Sequence, residues 1–243
     1  MTRDRADSHT VTVAERLAQQ LYDRDLGDRM ARELIAWLAG SPRFRAFADT
    51  YRDKIRKKFH GAAGAEAIRD VRTELQTARL LLTDRRIYVA FEAYGAGKTG
   101  PDLTVTFRAG RPFNLEVTRS RRVPDAAGTG LALLAKLRQL PPSAPNAILF
   151  AIDGSTAEAV DVAGAIRALR SRADAKDEPF FTGRGFDGTR GFYDRFLRLG
   201  AVFVLCEGAG GEARAALWAN PSARIALPPT AARACLRCLR SDL

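Results

Sequence analysis

The chain has 243 residues, 46% of them hydrophobic and 28% charged, a globular composition that excludes whole-chain disorder and accommodates one large domain or two small ones. Thirty-nine Lys and Arg against 28 Asp and Glu leave a net charge of +11, which points to a polyanionic partner, nucleic acid first. Three cysteines make no disulfide framework, and two histidines, His9 and His60, exclude a His-rich metal site. No run of about 18 apolar residues predicts a membrane span, and the charged opening segment MTRDRADSHT has no apolar stretch of a secretory leader; a cytoplasmic protein is expected.

Apolar residues spaced by three and four predict amphipathic helices over 11–22 and 29–40, the second stopped at Gly40-Ser41-Pro42. A third helix is expected over 43–59, with Phe44, Phe47, Tyr51, Ile55 and Phe59 on its buried face. It carries a basic run, Arg52, Lys54, Arg56, Lys57 and Lys58, open to reading as a polyanion surface or as a solvated helix face. Gly61-Ala62-Ala63-Gly64 then punctuates the chain, so residues 1–62 read as a helical N-terminal extension and 63–243 as an α/β core with a C-terminal helix. In that core a helix is predicted over 65–82, then strands over 87–92, 103–107 and 113–118. A helix at 131–140 ends at Pro141 and Pro142, and 147–152 is a continuous apolar run that reads as a buried strand. A helix over 157–172, a polar loop over 173–190, a helix over 191–199, a buried strand over 201–206, an edge strand over 213–218 and a helix over 230–240 complete the chain. The fold class expected is α/β, a mixed central sheet flanked by helices.

One glycine-rich segment imitates a nucleotide-binding loop. Gly95-Ala96-Gly97-Lys98-Thr99 ends in Gly-Lys-Thr, but Glu92 stands where the full motif needs its first glycine, and Gly100-Pro101 followed by a strand pattern leaves no helix to begin at the lysine. A turn between two strands is the expectation, from which Lys98 could still reach a phosphate.

Three acids stand in informative places: Glu74 on the helix before the sheet, Asp102 at the mouth of the second strand, and Glu116 inside the third. Strand alternation puts Leu115 and Val117 on one face and Glu116 on the other with Asn114 and Thr118. A carboxylate in such a strand is costly unless paired or metal-bound. Asp102 and Glu116 on neighbouring strands offer the hard oxygens that Mg²⁺ or Mn²⁺ takes, with the remaining positions left to water and phosphate.

Gly100-Pro101-Asp102-Leu103-Thr104-Val105, then a hairpin, then Phe113-Asn114-Leu115-Glu116-Val117-Thr118, resembles the PD-(D/E)xK nuclease superfamily over roughly residues 65–152. The resemblance implies a restriction-endonuclease-like core and a Mg²⁺-dependent DNA endonuclease, with DNA favoured over RNA. It makes Asp102 and Glu116 metal ligands, joined by the Val117 carbonyl, with Glu74 completing or supporting the site. The position of the family's lysine holds Thr118. Three accounts stay open. Lys136 on the next helix supplies the displaced lysine; Arg119 takes part of its electrostatic role; or the chain is a catalytically inactive nucleic-acid-binding or adaptor module on the same fold. Arg119, Arg121 and Arg122, with Lys98, are the expected phosphate contacts, and a homodimer is compatible with the sequence.

Other features carry less. Cys235-x-x-Cys238 is half of a zinc motif without its other half, and helix packing is the expected use. Phe180, Phe181, Phe186, Phe192 and Tyr193 among Arg184 and Arg190 could stack bases or fold onto the core, the latter favoured. Trp37 and Trp218 are expected to pack inside, and no Ser-His-Asp or Cys-His set is available.

Overall fold

The computed structural model describes residues 2–25, 27–93, 100–120, 125–153, 160–207 and 213–240, the first ten of them by backbone alone. Four helices come first: α1 (Thr2–Tyr22), α2 (Arg29–Gly40), α3 (Pro42–Thr50) and α4 (Arg52–Gly61). Helix α5 (Gly64–Leu81) leads into strands β1 (Ile87–Phe91), β2 (Leu103–Phe107) and β3 (Phe113–Ser120). Then follow α6 (Ala126–Leu137), β4 (Asn146–Asp153), α7 (Val162–Asp174), α8 (Glu178–Thr182), α9 (Gly188–Phe196), β5 (Leu199–Glu207), β6 (Ala213–Ala219) and α10 (Pro229–Leu239).

Boundaries follow local chemistry. Asp28 accepts from Ala31 N at 2.8 Å and opens α2, and Ser41 accepts from Phe44 N with Pro42 in the first turn of α3. The single helix expected over 43–59 is two, because Tyr51 leaves helical geometry (φ −104°, ψ 21°) between α3 and α4. Helix α6 starts five residues before the expected 131, because Asp125 caps it by accepting from Gly128 N at 2.7 Å. The polar loop expected over 173–190 contains the short α8, capped by Asp177 and carrying Pro179 in its first turn.

The sheet is mixed and open, with its strands in chain order. β1, β2 and β3 form an antiparallel meander, β3, β4 and β5 are parallel, and β6 returns antiparallel at the far edge. The two parallel crossovers advance in the same direction along the sheet, so α6 and α7–α9 cover the same face. There Ile148, Phe150, Val202 and Val204 pack with Leu133, Ile166, Phe181 and Phe192. The opposite face, carrying Leu115, Val117, Leu149 and Phe203, packs against α5 and α10 and runs continuously into Leu17, Leu34, Phe47 and Ile55 of the first helices. The expected boundary at residue 62 thus falls between α4 and α5, and the helices on its two sides share one apolar cluster.

Phe181, Phe186 and Phe192 are buried in that α7–α9 layer, as the packing alternative expected, and Phe196 joins them, while Tyr193 is half-buried. Phe180 is half-buried, with Arg172 and Arg184 stacked on its ring at 4.5 and 3.9 Å. Trp37 and Trp218 pack against the two apolar clusters while partly exposed. Cys235 and Cys238 lie on the buried side of α10, where burial pushes both thiols up, Cys235 to about 12, so they are packing residues. Among the described residues no helix is long and apolar enough to cross a membrane.

Candidate active site

The site forms where the antiparallel ladder between β2 and β3 stops. Leu103 pairs with Leu115, but the next residue back along β2 past Asp102 is Pro101, and the strand ends. β3 continues, and the backbone N–H of Val117 donates to the Asp102 carboxylate at 2.8 Å instead of to a strand neighbour. Asp102 is therefore held by the end of a ladder. Its own carbonyl accepts from Glu92 N at 3.0 Å, just past β1, where Glu92 takes a positive φ of 43°.

Charges reach this point from both faces. From the α6 side, Lys136 Nζ donates to Glu116 Oε1 at 2.8 Å, with Glu116 buried in β3. From the other side, Lys58 of α4 donates to the Glu74 carboxylate of α5 and lies 3.3 Å from both Asp102 Oδ1 and Glu92 Oε1. Its ammonium also sits 5.1 Å from the centre of the Phe91 ring. One turn earlier, Lys54 donates to the carbonyls of Phe91 and Glu92 at 3.3 and 2.5 Å and anchors α4 to the end of β1.

The electrostatics show a surplus of buried negative charge. Burial first, and the Asp102 charge second, push Glu74 up to about 8. The same two causes raise Glu116, against the opposing pull of Lys136 and then Lys58. Burial pulls the Lys58 ammonium down, but Glu74 and Asp102 more than offset it and it stays protonated well above the ordinary lysine range. Four carboxylates thus meet two ammonium groups, and the two most buried acids, Glu74 and Glu116, are the ones pushed toward holding a proton.

Comparison of the chain with protein-family models, curated proteins and solved structures finds no match.

The structure brings Glu74, Asp102, Glu116 and Lys136 into one cluster, as their positions in the sequence led us to expect. It does not draw Glu74 into a three-carboxylate cage: among the described residues no group of three His, Cys, Asp or Glu side chains is arranged to hold a metal, and Glu74 is engaged by Lys58. Arg119 is also placed otherwise than expected. It alternates to the α5 face, where its guanidinium is enclosed by Glu66, Asp70 (3.0 Å) and Asp153 (2.9 Å), and that enclosure does not fit a phosphate contact. Lys98, Arg121 and Arg122 lie outside the described residues. Lys58 is the participant that the sequence reading left in a basic run. Its signal was present: Lys54 and Lys58 are four apart and flank the buried Ile55 and Phe59, so both turn toward the core rather than away with Arg56 and Lys57.

Proposed function

We propose that the protein is a divalent-metal-dependent nuclease with a restriction-endonuclease-like core, acting on nucleic acid and on DNA in preference to RNA. The observation that carries the reading is the pair Asp102, at the mouth of β2 and bonded to the Val117 N–H, and Glu116, the preceding residue of β3, with Lys136 in contact with Glu116. The donor set suits a hard cation: two carboxylates with the nearby Val117 carbonyl are oxygen donors of the kind Mg²⁺ takes alongside waters and a phosphate. Its bound form would polarise a scissile phosphate and lower the pKa of an attacking water.

The chain's own groups do the rest. Asp102, fixed by the Val117 N–H, and Glu116, fixed by Lys136, would hold the cation. Lys136 would fill the role of the lysine absent at Thr118: an ammonium beside the site, able to orient water or neutralise a phosphate oxygen. Arg56 and Lys57, exposed on the helix that also carries Lys54 and Lys58, suit the sequence-independent hold on a phosphate backbone. A cytoplasmic setting agrees with three buried cysteines that form no disulfide.

The test is cleavage of supercoiled plasmid, single-stranded DNA and RNA with Mg²⁺ or Mn²⁺ against EDTA. Metal-dependent cutting is expected, and Glu116→Gln abolishes it while circular dichroism and melting stay those of a folded protein. Cutting that survives Glu116→Gln overturns the assignment. The second reading, an inactive module that binds DNA without a metal, is favoured by Thr118 and by the ammonium groups already pairing Glu116 and Asp102. It predicts salt-sensitive DNA binding unaffected by EDTA, with no cutting.

A further inference from the structure

We propose that Lys58 is a built-in counter-cation of the metal site: the helical N-terminal extension neutralises the ligand carboxylate Asp102 with an ammonium that a divalent ion must displace, and so sets the affinity of the site for metal. The inference rests on the nuclease reading above and adds a control to it.

Three observations carry it. Lys58 is not a surface lysine that happens to touch an acid: it is largely buried, reaches Glu74, Asp102 and Glu92 together, and lies against the face of Phe91. Its helix is pinned in place, since Lys54 one turn away binds the last carbonyls of β1 and Ile55 and Phe59 are buried beside it. And Lys58 sits 3.3 Å from Oδ1 of Asp102, whose Oδ2 is occupied by the Val117 N–H, so the carboxylate oxygen that faces the cluster is the one the lysine holds. A cation approaching Asp102 meets like charge at close range, and an effective dielectric of about 20 leaves such repulsion large. Lys58 has somewhere to go, because Glu74 and Glu92 lie within its reach. Lys136 is different: it bonds Glu116 from the opposite face and comes from α6, outside the extension.

Calorimetric titration of the full chain with MnCl₂, without nucleic acid, tests this through binding alone. Lys58→Gln and Lys58→Met are expected to bind Mn²⁺ about tenfold more tightly than wild type, because the competing charge is gone. Lys58→Arg, which keeps the charge, is expected to show no gain, and adding Glu116→Gln to Lys58→Gln removes the gain. If the methionine variant does not fold alone, the glutamine variant, which keeps a hydrogen-bond donor, carries the comparison. Its melting temperature should rise more with Mn²⁺ than that of wild type. Wild-type binding that depends on Glu116, with Lys58→Gln and Lys58→Met binding no more tightly than wild type, overturns the counter-cation and leaves the metal site standing. Absence of Mn²⁺ binding in wild type and all Lys58 variants overturns the metal site, and this inference with it.

Discussion

Two ion clusters lie against the inner side of α5, and they are built inside out relative to each other. Glu66, Asp70 and Glu74 are spaced by four along the helix and form one acidic ridge. Its first two members, with Asp153, surround Arg119, whose side chain is 5% exposed while the three acids remain 36–59% exposed. Here the cation is innermost and the acids keep their water. One turn further along, the order reverses. Glu74 and Glu116 are 13% and 7% exposed, and the lysines that meet them are the wetter partners at 21% and 20%. An arginine wrapped by solvated carboxylates is a clamp: it ties α5 to the ends of β3 and β4, and water screens the charge of the three acids. Buried carboxylates in excess over their lysines, here Glu74 and Glu116, hold protons more tightly than free carboxyls and invite another cation. Side chains of the same types therefore make a fastener in one place and a candidate reaction centre in the other, and the depth of the acids is what separates them.

That contrast can be broken most sharply at Lys136. Lys136→Met is expected to lower the rate of metal-dependent cleavage by about 10²–10⁴-fold. Its effect on stability is expected to be small, because Glu116 can answer the lost ammonium by taking up a proton, its pKa being raised already. Single-turnover cleavage beside a denaturant melt separates the two, and a stability loss without a rate loss would turn this cluster into a second clamp.

Arg119→Met should do the reverse. It removes the centre of three ion pairs, and because those acids are solvated the cost is set at about 1–3 kcal/mol of folding stability, read from the same melt. DNA affinity measured over a range of salt should keep its slope, and a reduced slope would return Arg119 to the phosphate contacts.

A smaller, pH-dependent effect comes from Glu74, which faces Lys58, Asp102 and Glu92. A carboxyl near 4.5 in the unfolded chain and near 8 in the folded one binds its proton more tightly when folded. Its stabilising contribution is fully present below about 4.5 and is lost as pH rises toward 8. Melting temperatures of wild type should therefore fall relative to Glu74→Gln as the pH is raised from 5 to 9 (about 1–2 kcal/mol across that interval after solvent screening). A gap that does not change with pH would show that Glu74 is ionised throughout. Smallest of all, Arg56→Ala with Lys57→Ala should lower the salt dependence of DNA binding by about one to two phosphate contacts, with folding unchanged.

Much of this arrangement was legible before any coordinates. Alternation in Phe113–Thr118 separates Glu116 from Leu115 and Val117, and the structure puts those two residues in one apolar cluster with Glu116 facing α6. The strands over 103–107 and 201–206 and the edge strand after residue 212 appear where β-rich or apolar runs placed them; 201–206 is apolar throughout because a buried parallel strand is covered on both faces. Lys136 was identifiable as a candidate because the short connection from β3 leaves the next helix little choice but to pack back across that strand. The break at Tyr51 and the early start of α6 were less legible, since one is a local backbone excursion and the other depends on a single aspartate cap overriding two glycines.

What no local pattern carries is which charges meet across long separations in the chain. The sequence by itself determined the alternation of the sheet, its amphipathic helices, the basic balance and the candidate acids, because periodicity and composition are properties of neighbours. Only the tertiary structure decided that Lys58, on the inward side of α4, meets Asp102, 44 residues further along the chain. It also decided that Arg119 is spent on α5 and β4, not left for a phosphate. Those outcomes depend on where α4 and α5 cross the end of the meander. That placement is set by the packing of Ile55, Phe59 and Leu75 against the sheet, a sum over contacts that no single segment contains.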